Sequence, residues 1–452
     1  NQLQPAITKT LSKILPTVFN DNPKNIFQNN EKVHFAIEIK NLNKLTPAFI
    51  PKFSISNNSK LTGDFNLAKN TLNMSGDIPF ISYGTNKISN LTISAQTDQD
   101  KVLFNSEFDM PVFNVAFKDI SISGELHNDS IITHYKWFKK DSLVYAGNIK
   151  TVGSFIKKNA QVQASFTMLP SDVTIADSVW SMSKSFINMS SEAIAISGFS
   201  FHNNSQILNI DGIISKNNSD SLLVNVSNFD TKYFNKFIKS KDYEIKGILN
   251  GYIALFQIPN NFHFQSKITA SDFVIANNEM GTLFLLSAWD NTKQAVDVDF
   301  YTQKGKIKPI NITGVIYPED EILDLNAEIN NANVNLLSLY TKIFASDLKG
   351  YLNGQVRIFG KINNPEMQGY VDLKKVSLVI DYLKTRYNLS GRCNVTNQKI
   401  DFNNIQVFDS EGNPGIVTGN LEFEKYKNFT YNIVVDFKNF MVLNTKASDN
   451  NY

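Results

Sequence analysis

The 452-residue chain has one cysteine, Cys393, so an internal disulfide, a paired-cysteine redox motif and a thiolate metal site are all excluded. Arginine occurs only at Arg357, Arg386 and Arg392, and the 44 basic residues are offset by 42 acidic ones spread evenly along the chain. No stripe of one sign is left to follow a phosphate backbone, which argues against nucleic acid as a partner. Long apolar runs are missing as well. The strongest, Leu283 to Trp289, is far too short to cross a bilayer as a helix. The five histidines, His34, His127, His134, His202 and His263, are scattered, with no second ligand at metal spacing. There is no Walker lysine motif, and Gly350, Gly354 and Gly360 have the spacing of strand turns rather than of a phosphate cradle. Carboxylates alternate along strands or gather in turns such as Glu319-Asp320-Glu321, and no pair is nominated for acid–base work. Asp409-Ser-Glu411-Gly-Asn413 opens like a calcium loop, but its twelfth position is Asn420 instead of a bidentate Glu, so a hairpin turn is expected. These absences point away from an enzyme and imply neither cofactor nor metal. The chain starts at Asn1 with no charged-then-apolar leader, so a signal or anchor is expected to lie outside it.

What is present is an apolar fraction of 42% with 12% aromatics, enough to exclude disorder, in a chain rich in Asn, Ser, Lys, Ile and Phe. The dominant signal is period-two alternation. Val33, Phe35, Ile37 and Ile39 fall on one face, with His34, Glu38 and Lys40 on the other. The same pattern recurs at Val162 and Phe166, and at Val296, Val298 and Phe300 opposite Asp297 and Asp299. It returns at Leu323, Leu325 and Ile329 opposite Asp324, Asn326 and Glu328, then at Val371 and Leu373, and at Ile433, Val435 and Phe437. Asn pairs such as Asn57-Asn58, Asn203-Asn204 and Asn277-Asn278 punctuate the runs, because Asn tolerates positive φ in turns. The pattern predicts a mainly β, antiparallel meander.

Helical spacing is confined to three short stretches. Ile7, Leu11, Ile14, Leu15 and Val18 form one after Pro5, with Pro16 as its stop; it suits a cap on a β array, or docking on a partner or membrane surface. The other two are 230–238 and 333–344. Each is followed by related strands, Lys246-Gly-Ile-Leu-Asn-Gly251 and Lys349-Gly-Tyr-Leu-Asn-Gly354, which suggests an internal repeat of about a hundred residues. Four segments follow from these marks: 1–32, an amphipathic helix and lead-in; 33–229, a β-rich groove; 230–348, a β-rich repeat with short helices; and 349–452, a C-terminal β segment.

An apolar sheet face must be covered by a second sheet, by barrel closure, or by curling around an apolar guest. Helices this short cannot supply the cover. In a curled trough each inward Leu, Ile or Phe left wet forgoes roughly 1.5 to 3 kcal/mol, which would favour occupation by acyl chains. Moving a phospholipid with about thirty methylenes through water costs on the order of 20 kcal/mol, so a smooth apolar groove would replace one prohibitive barrier with many small steps.

Residues 349–443 resemble the C-terminal domain of the TamB family, the translocation and assembly module proteins of the AsmA-like group in bacterial envelopes. The resemblance is carried by Gly350-Tyr-Leu-Asn-Gly354, Ile358-Phe-Gly360, Asn364-Pro365, Gly369-Tyr-Val-Asp-Leu373, Ile400-Asp-Phe-Asn-Asn-Ile405, Asp409-Ser-Glu-Gly412-Asn413 and Thr418-Gly419-Asn-Leu-Glu422. Residues 171–348 are similar to the preceding family repeats at Trp180, Gln206-Ile-Leu-Asn-Ile-Asp-Gly212 and Asp220-Ser-Leu-Leu-Val224. The resemblance implies an elongated, curled, taco-shaped antiparallel sheet in the periplasm. Roughly thirty strands at about 4.8 Å each would extend on the order of 140 Å. It further implies an inner-membrane anchor and further C-terminal strands outside this chain, and an Omp85-family outer-membrane barrel (TamA-like) as partner. The lysine- and asparagine-rich usage is compatible with a Bacteroidota-type source. The leading expectation is phospholipid conduction between the inner and outer membranes. The seventeen alternating residues from Val33 to Phe437 named above would line the groove. Two alternatives stand beside it: an outer-membrane protein assembly factor working by strand-edge pairing, and a surface β-solenoid adhesin.

Overall fold

The structure, a computed structural model, describes all residues except 1–2, 20–31, 43–49, 51, 85, 113–114, 237–243, 258–262, 343, 425–426 and 446–452. The chain is mainly β, and the described residues form 28 strands of antiparallel sheet. It divides into two compact units, residues 1–225 with 256–261 and residues 226–255 with 262–452.

The first unit opens with helix α1 (Leu3–Ile14), which stops just before Pro16, as the ring geometry of proline requires. The strands follow as β1 (Lys32–Ile39), β2 (Phe53–Ile55), β3 (Ser59–Asn66), β4 (Thr71–Tyr83) and β5 (Asn86–Asp98). Next come β6 (Lys101–Val112), β7 (Val115–His127), β8 (Ser130–Lys140) and β9 (Val144–Lys158). Each strand from β3 to β9 pairs with its successor, while β1 pairs with β3 and the short β2 with the far end of β4. The order then splits. β10 (Gln161–Met168) and β11 (Ser171–Ile175) lie end to end along β9, separated by Pro170, which has no N–H for the ladder. β12 (Ser178–Met182) and β13 (Ser185–Met189) share β14 (Ala193–Asn203) in the same way, and β15 (Gln206–Ser215) pairs with β14. β16 (Ser221–Asp230) begins in this unit.

The second unit contains most of β17 (Ile245–Phe256), then β18 (His263–Ile275), β19 (Asn278–Asp290), β20 (Ala295–Gln303), β21 (Ile310–Tyr317) and β22 (Ile322–Asn333). It ends with β23 (Ala345–Lys361), β24 (Asn364–Ile380), β25 (Thr385–Thr396), β26 (Lys399–Phe408), β27 (Pro414–Glu424) and β28 (Lys427–Phe437). From β18 onward every strand pairs with the next.

Of the two internal helical segments, the second is shorter than the apolar spacing suggests. A 3-10 helix covers Thr231–Lys236, and Phe237 and Ile238 lie outside the described residues. A second 3-10 turn, Val334–Leu337, runs into the single-turn helix α2 (Ser338–Thr341). Both serve as connections between neighbouring antiparallel strands, and a long helix does not fit a span of roughly 5 Å. β17 and β23, the strands that carry the sequence echo, each leave one of these connections.

Candidate functional site

Partners in an antiparallel ladder share a face, so the register assigns every side chain. In the first unit one row runs Val33, Phe65, Leu72, Thr97, Val102, Leu126 and Ile131, then Gly153, Phe166, Ile187 and Ile196. On the other face the row Glu38, Lys60, Asp77, Thr92, Glu107, Ser121, Lys136, Asn148 is polar throughout. The second unit repeats the division. Ile268, Leu285, Phe300, Ile312, Ala327 and Val356 continue through Gly369 and Val395 to Ile400 and Leu421. The neighbouring row on the opposite face reads Asn311, Glu328, Gln355, Tyr370, Asn394, Asp401, Asn420, Asn432.

All seventeen sequence-nominated residues fall on the apolar face of their own unit. Among them only Val296 is fully buried. Ile37, Val162, Ile433, Val435 and Phe437 are 42%, 37%, 45%, 39% and 43% exposed, and the others are half-buried. A facing sheet at about 10 Å would have driven most of these side chains to full burial. Among the described residues, therefore, no second layer seals the apolar face within either unit.

That face is also crowded at the backbone. A Cβ on Gly314 would strike the Asp324 carbonyl oxygen and sit 2.8 Å from Leu325 Cα. A Cβ on Gly147 would lie inside the Trp137 ring, and one on Gly124 against Phe104. The strands also carry a recurring irregularity. Asp119, Gly198, Asn228 and Asn331 all sit at positive φ, between 51° and 71°. Each donates its backbone N–H to a side-chain oxygen on the adjacent strand: Asp109 at 2.9 Å, Asp211 at 2.7 Å, Asn250 at 2.9 Å and Asn353 at 2.9 Å respectively. Register shifts mark bulges at the 119, 198 and 331 positions, and a bulge adds bend and twist. Asn250 and Asn353 are the equivalent residues of the sequence echo, so the repeated motif is a bulge clamp.

Local covers sit at the strand ends. In the first unit α1 packs Ala6, Ile14 and Leu15 against Phe65, Leu67, Leu72 and Val102. Asp129, in the β7–β8 turn, gives its N–H to Ile14 O at 3.0 Å and accepts from Thr17 N and Oγ1 at 2.8 Å. The helix thus lies across the strand ends of this unit. In the second unit Val334 packs with Ala332, Leu352 and Val376, and residues 438–444 fold back over β25. Phe440 stacks on Tyr387 at 5.5 Å, and Tyr387 Oη donates to Val442 O at 3.0 Å. Asp409 accepts from the backbone N–H groups of Met441, Asn413 and Glu411 at 2.7, 2.8 and 2.9 Å. Its burial alone would raise the carboxyl, but these donors hold it down at about 2. The calcium-like stretch is a hairpin turn whose carboxylate anchors backbone.

The polar face is solvated and ion-paired. Arg357 forks both oxygens of Asp324 at 2.8 Å, and Arg392 does the same to Asp372 at 2.7 and 2.9 Å while lying over the Tyr370 ring. Hydrogen bonds from these guanidinium groups hold both carboxyls below the usual range. Cys393 lies buried on the apolar face, where burial pushes its thiol up to about 11 and keeps it protonated. His263 stacks on Trp289 at 4.8 Å. Among the described residues no group of three His, Cys, Asp or Glu side chains comes together as a metal site, and no helix is long and apolar enough to cross a membrane.

The clamping Asx side chains, the returning 438–444 segment and the buried hydroxyl pairs within the apolar face, Ser266 with Ser287 at 2.8 Å and Thr133 with Thr151, were not among the sequence candidates. An Asn-Gly step inside a strand, at 250–251 and 353–354, is the signal that points to the first of these. Comparison with protein-family models, with curated proteins and with solved structures finds no match for this chain.

Proposed function

We propose that this chain carries phospholipid along the apolar face of its sheet, with acyl chains on that face and polar groups toward solvent. The observation that carries this reading is the register. Row after row places Val, Leu, Ile and Phe on one side, half-exposed among the described residues, while the other side is polar. Such a surface binds hydrocarbon by area and shape and needs no catalytic group. The resemblance to the TamB family supports a periplasmic setting. There, an anchored relative would conduct lipid between the two membranes of a bacterial envelope and meet an Omp85-family barrel.

Native mass spectrometry of gently purified protein is expected to show bound phospholipid. Photocrosslinkers at 298, 300 and 325 should label acyl chains, whereas crosslinkers at 297, 299 and 324 should not. Protein that binds no lipid from vesicles, or equal labelling from both faces, sinks the reading. A second reading, edge pairing with a client strand or barrel, is favoured by β28. Among the described residues it pairs only with β27, and Tyr431 and Val434 on it are 74% and 60% exposed. Val298→Lys with Leu325→Lys would abolish lipid binding and leave edge pairing intact, which separates the two.

A further inference from the structure

The two ends of the strands in the second unit differ. At the end where β20 turns into β21, β22 into β23 and β24 into β25, large apolar side chains stand in solvent. Ile307 is 43% exposed, Phe344 51%, Tyr382 70% and Leu443 57%. Four lysines, Lys306, Lys308, Lys342 and Lys384, are exposed among them. These turns form one continuous rim. Leu336 packs against both apolar clusters of this unit, the first of which includes Ile310. Asp381 N donates to Phe344 O at 3.0 Å, and Asn444 N to Leu383 O at 2.9 Å. Lys308 lies 3.7 Å over the Tyr301 ring, and Lys304 is held by Glu279 at 3.2 Å.

The opposite end carries the exposed acidic turn Glu319-Asp320-Glu321 and the polar turns 363–364 and 397–398. Its exposed aliphatic side chains include Ile322 and Ile362, at 38% and 46%. Bare aromatic and aliphatic side chains interleaved with lysine are the chemistry that meets the boundary between hydrocarbon and anionic headgroups. The rim also borders the apolar face directly, through Ile310, Leu336 and Val334.

We propose that this lysine-bearing rim holds the phosphate of anionic phospholipids whose acyl chains lie on the adjoining apolar face. The proposal rests on the phospholipid reading and adds headgroup class and position to it. Chains on the apolar face leave their headgroups at a strand end. This end sets Lys306, Lys308, Lys342 and Lys384 among exposed aromatic and aliphatic groups, whereas at the other end Lys361, beside Ile322 and Ile362, adjoins the acidic turn 319–321.

The test incubates the full chain with vesicles of phosphatidylglycerol and phosphatidylcholine, mixed equally and with identical acyl chains, then measures the ratio of the two lipids in the recovered protein. Wild type is expected to enrich phosphatidylglycerol roughly fivefold, the factor one lysine near an anionic surface supplies. K306Q/K308Q/K342Q/K384Q should bring the ratio to that of the vesicles with total bound lipid unchanged. E319K/D320K/E321K adds positive charge at the other end and should leave the wild-type ratio as it is. No enrichment by wild type, enrichment retained by the glutamine variant, or enrichment raised equally from the opposite end would each overturn the rim assignment while leaving the lipid reading standing. Failure to recover either lipid overturns both.

Discussion

At the residue scale, glycine and aspartate hold the positions where no other side chain fits. Gly314 has φ +151°, and a Cβ there would press on the backbone of β22. Gly314→Ala is expected to cost about 1–3 kcal/mol, read as a lower urea midpoint at unchanged slope. A midpoint equal to wild type would show that the strands can separate at no cost, and the crowding argument would fail. Asp409 provides a pH prediction. Its folded carboxyl is lowered from the ordinary 3.8 to about 2, so the stability it lends is complete above the unfolded value and drains away as pH falls toward 2. Hydrogen exchange at the Met441 amide should stay slow from neutral pH down to about 4 and accelerate below that, once the intrinsic pH dependence is removed. Asp409→Asn replaces one acceptor oxygen with donors that face the N–H groups, so exchange at Met441 should already be fast at neutral pH. Slow exchange in that variant would mean that the Phe440 and Tyr387 stack alone retains the segment.

At the element scale, a clamped bulge sets the bend of a strand. Asn353→Ala removes the acceptor of the Asn331 N–H and should cost about 1 kcal/mol, with Asn250→Ala equivalent because Asn228 depends on it in the same way. If either change is neutral in chemical denaturation, water replaces the clamp and the bulge is set by backbone preference. Alternation made most strands legible in the sequence, because Val296, Val298 and Phe300 opposite Asp297 and Asp299 leave a strand no choice of face. The bulges were not legible from alternation. Each inserts one residue that breaks period two, so Gly198 or Asn331 reads as noise until its pairing is known. The helical connection at 333–344 was read too long for a related reason. Apolar spacing over 333–344 is shared between a 3-10 turn, one α turn and the start of β23, and spacing alone does not say where one ends. Helix α1, with Pro5 in its first turn and Pro16 just past its end, was read with nearly its true length, and Leu15→Ala should loosen its docking by about 2–4 kcal/mol, seen as earlier proteolysis of the first residues.

At the scale of the whole molecule, the polar and apolar faces were legible because they need only composition and period. The proposed function of the apolar face depends on what is absent from it among the described residues, a second protein layer, and absence has no sequence signature. Half-exposed Phe35, Phe166, Phe300 and Leu325 are ordinary core residues by type. On the proposed phospholipid reading, covering these half-exposed side chains with hydrocarbon would link the stability of the folded chain to its guest. Protein stripped of lipid in detergent and returned to buffer should therefore unfold at a lower temperature and bind more of the dye ANS. Added phospholipid should restore both, raising the melting temperature with the logarithm of its concentration. At a hundredfold excess over Kd the gain is about 2.7 kcal/mol. The variant carrying Val298→Lys and Leu325→Lys should melt at the same temperature with and without lipid. A lipid-independent melting temperature in the wild type, together with low ANS binding after stripping, would mean that the apolar face closes on itself in solution.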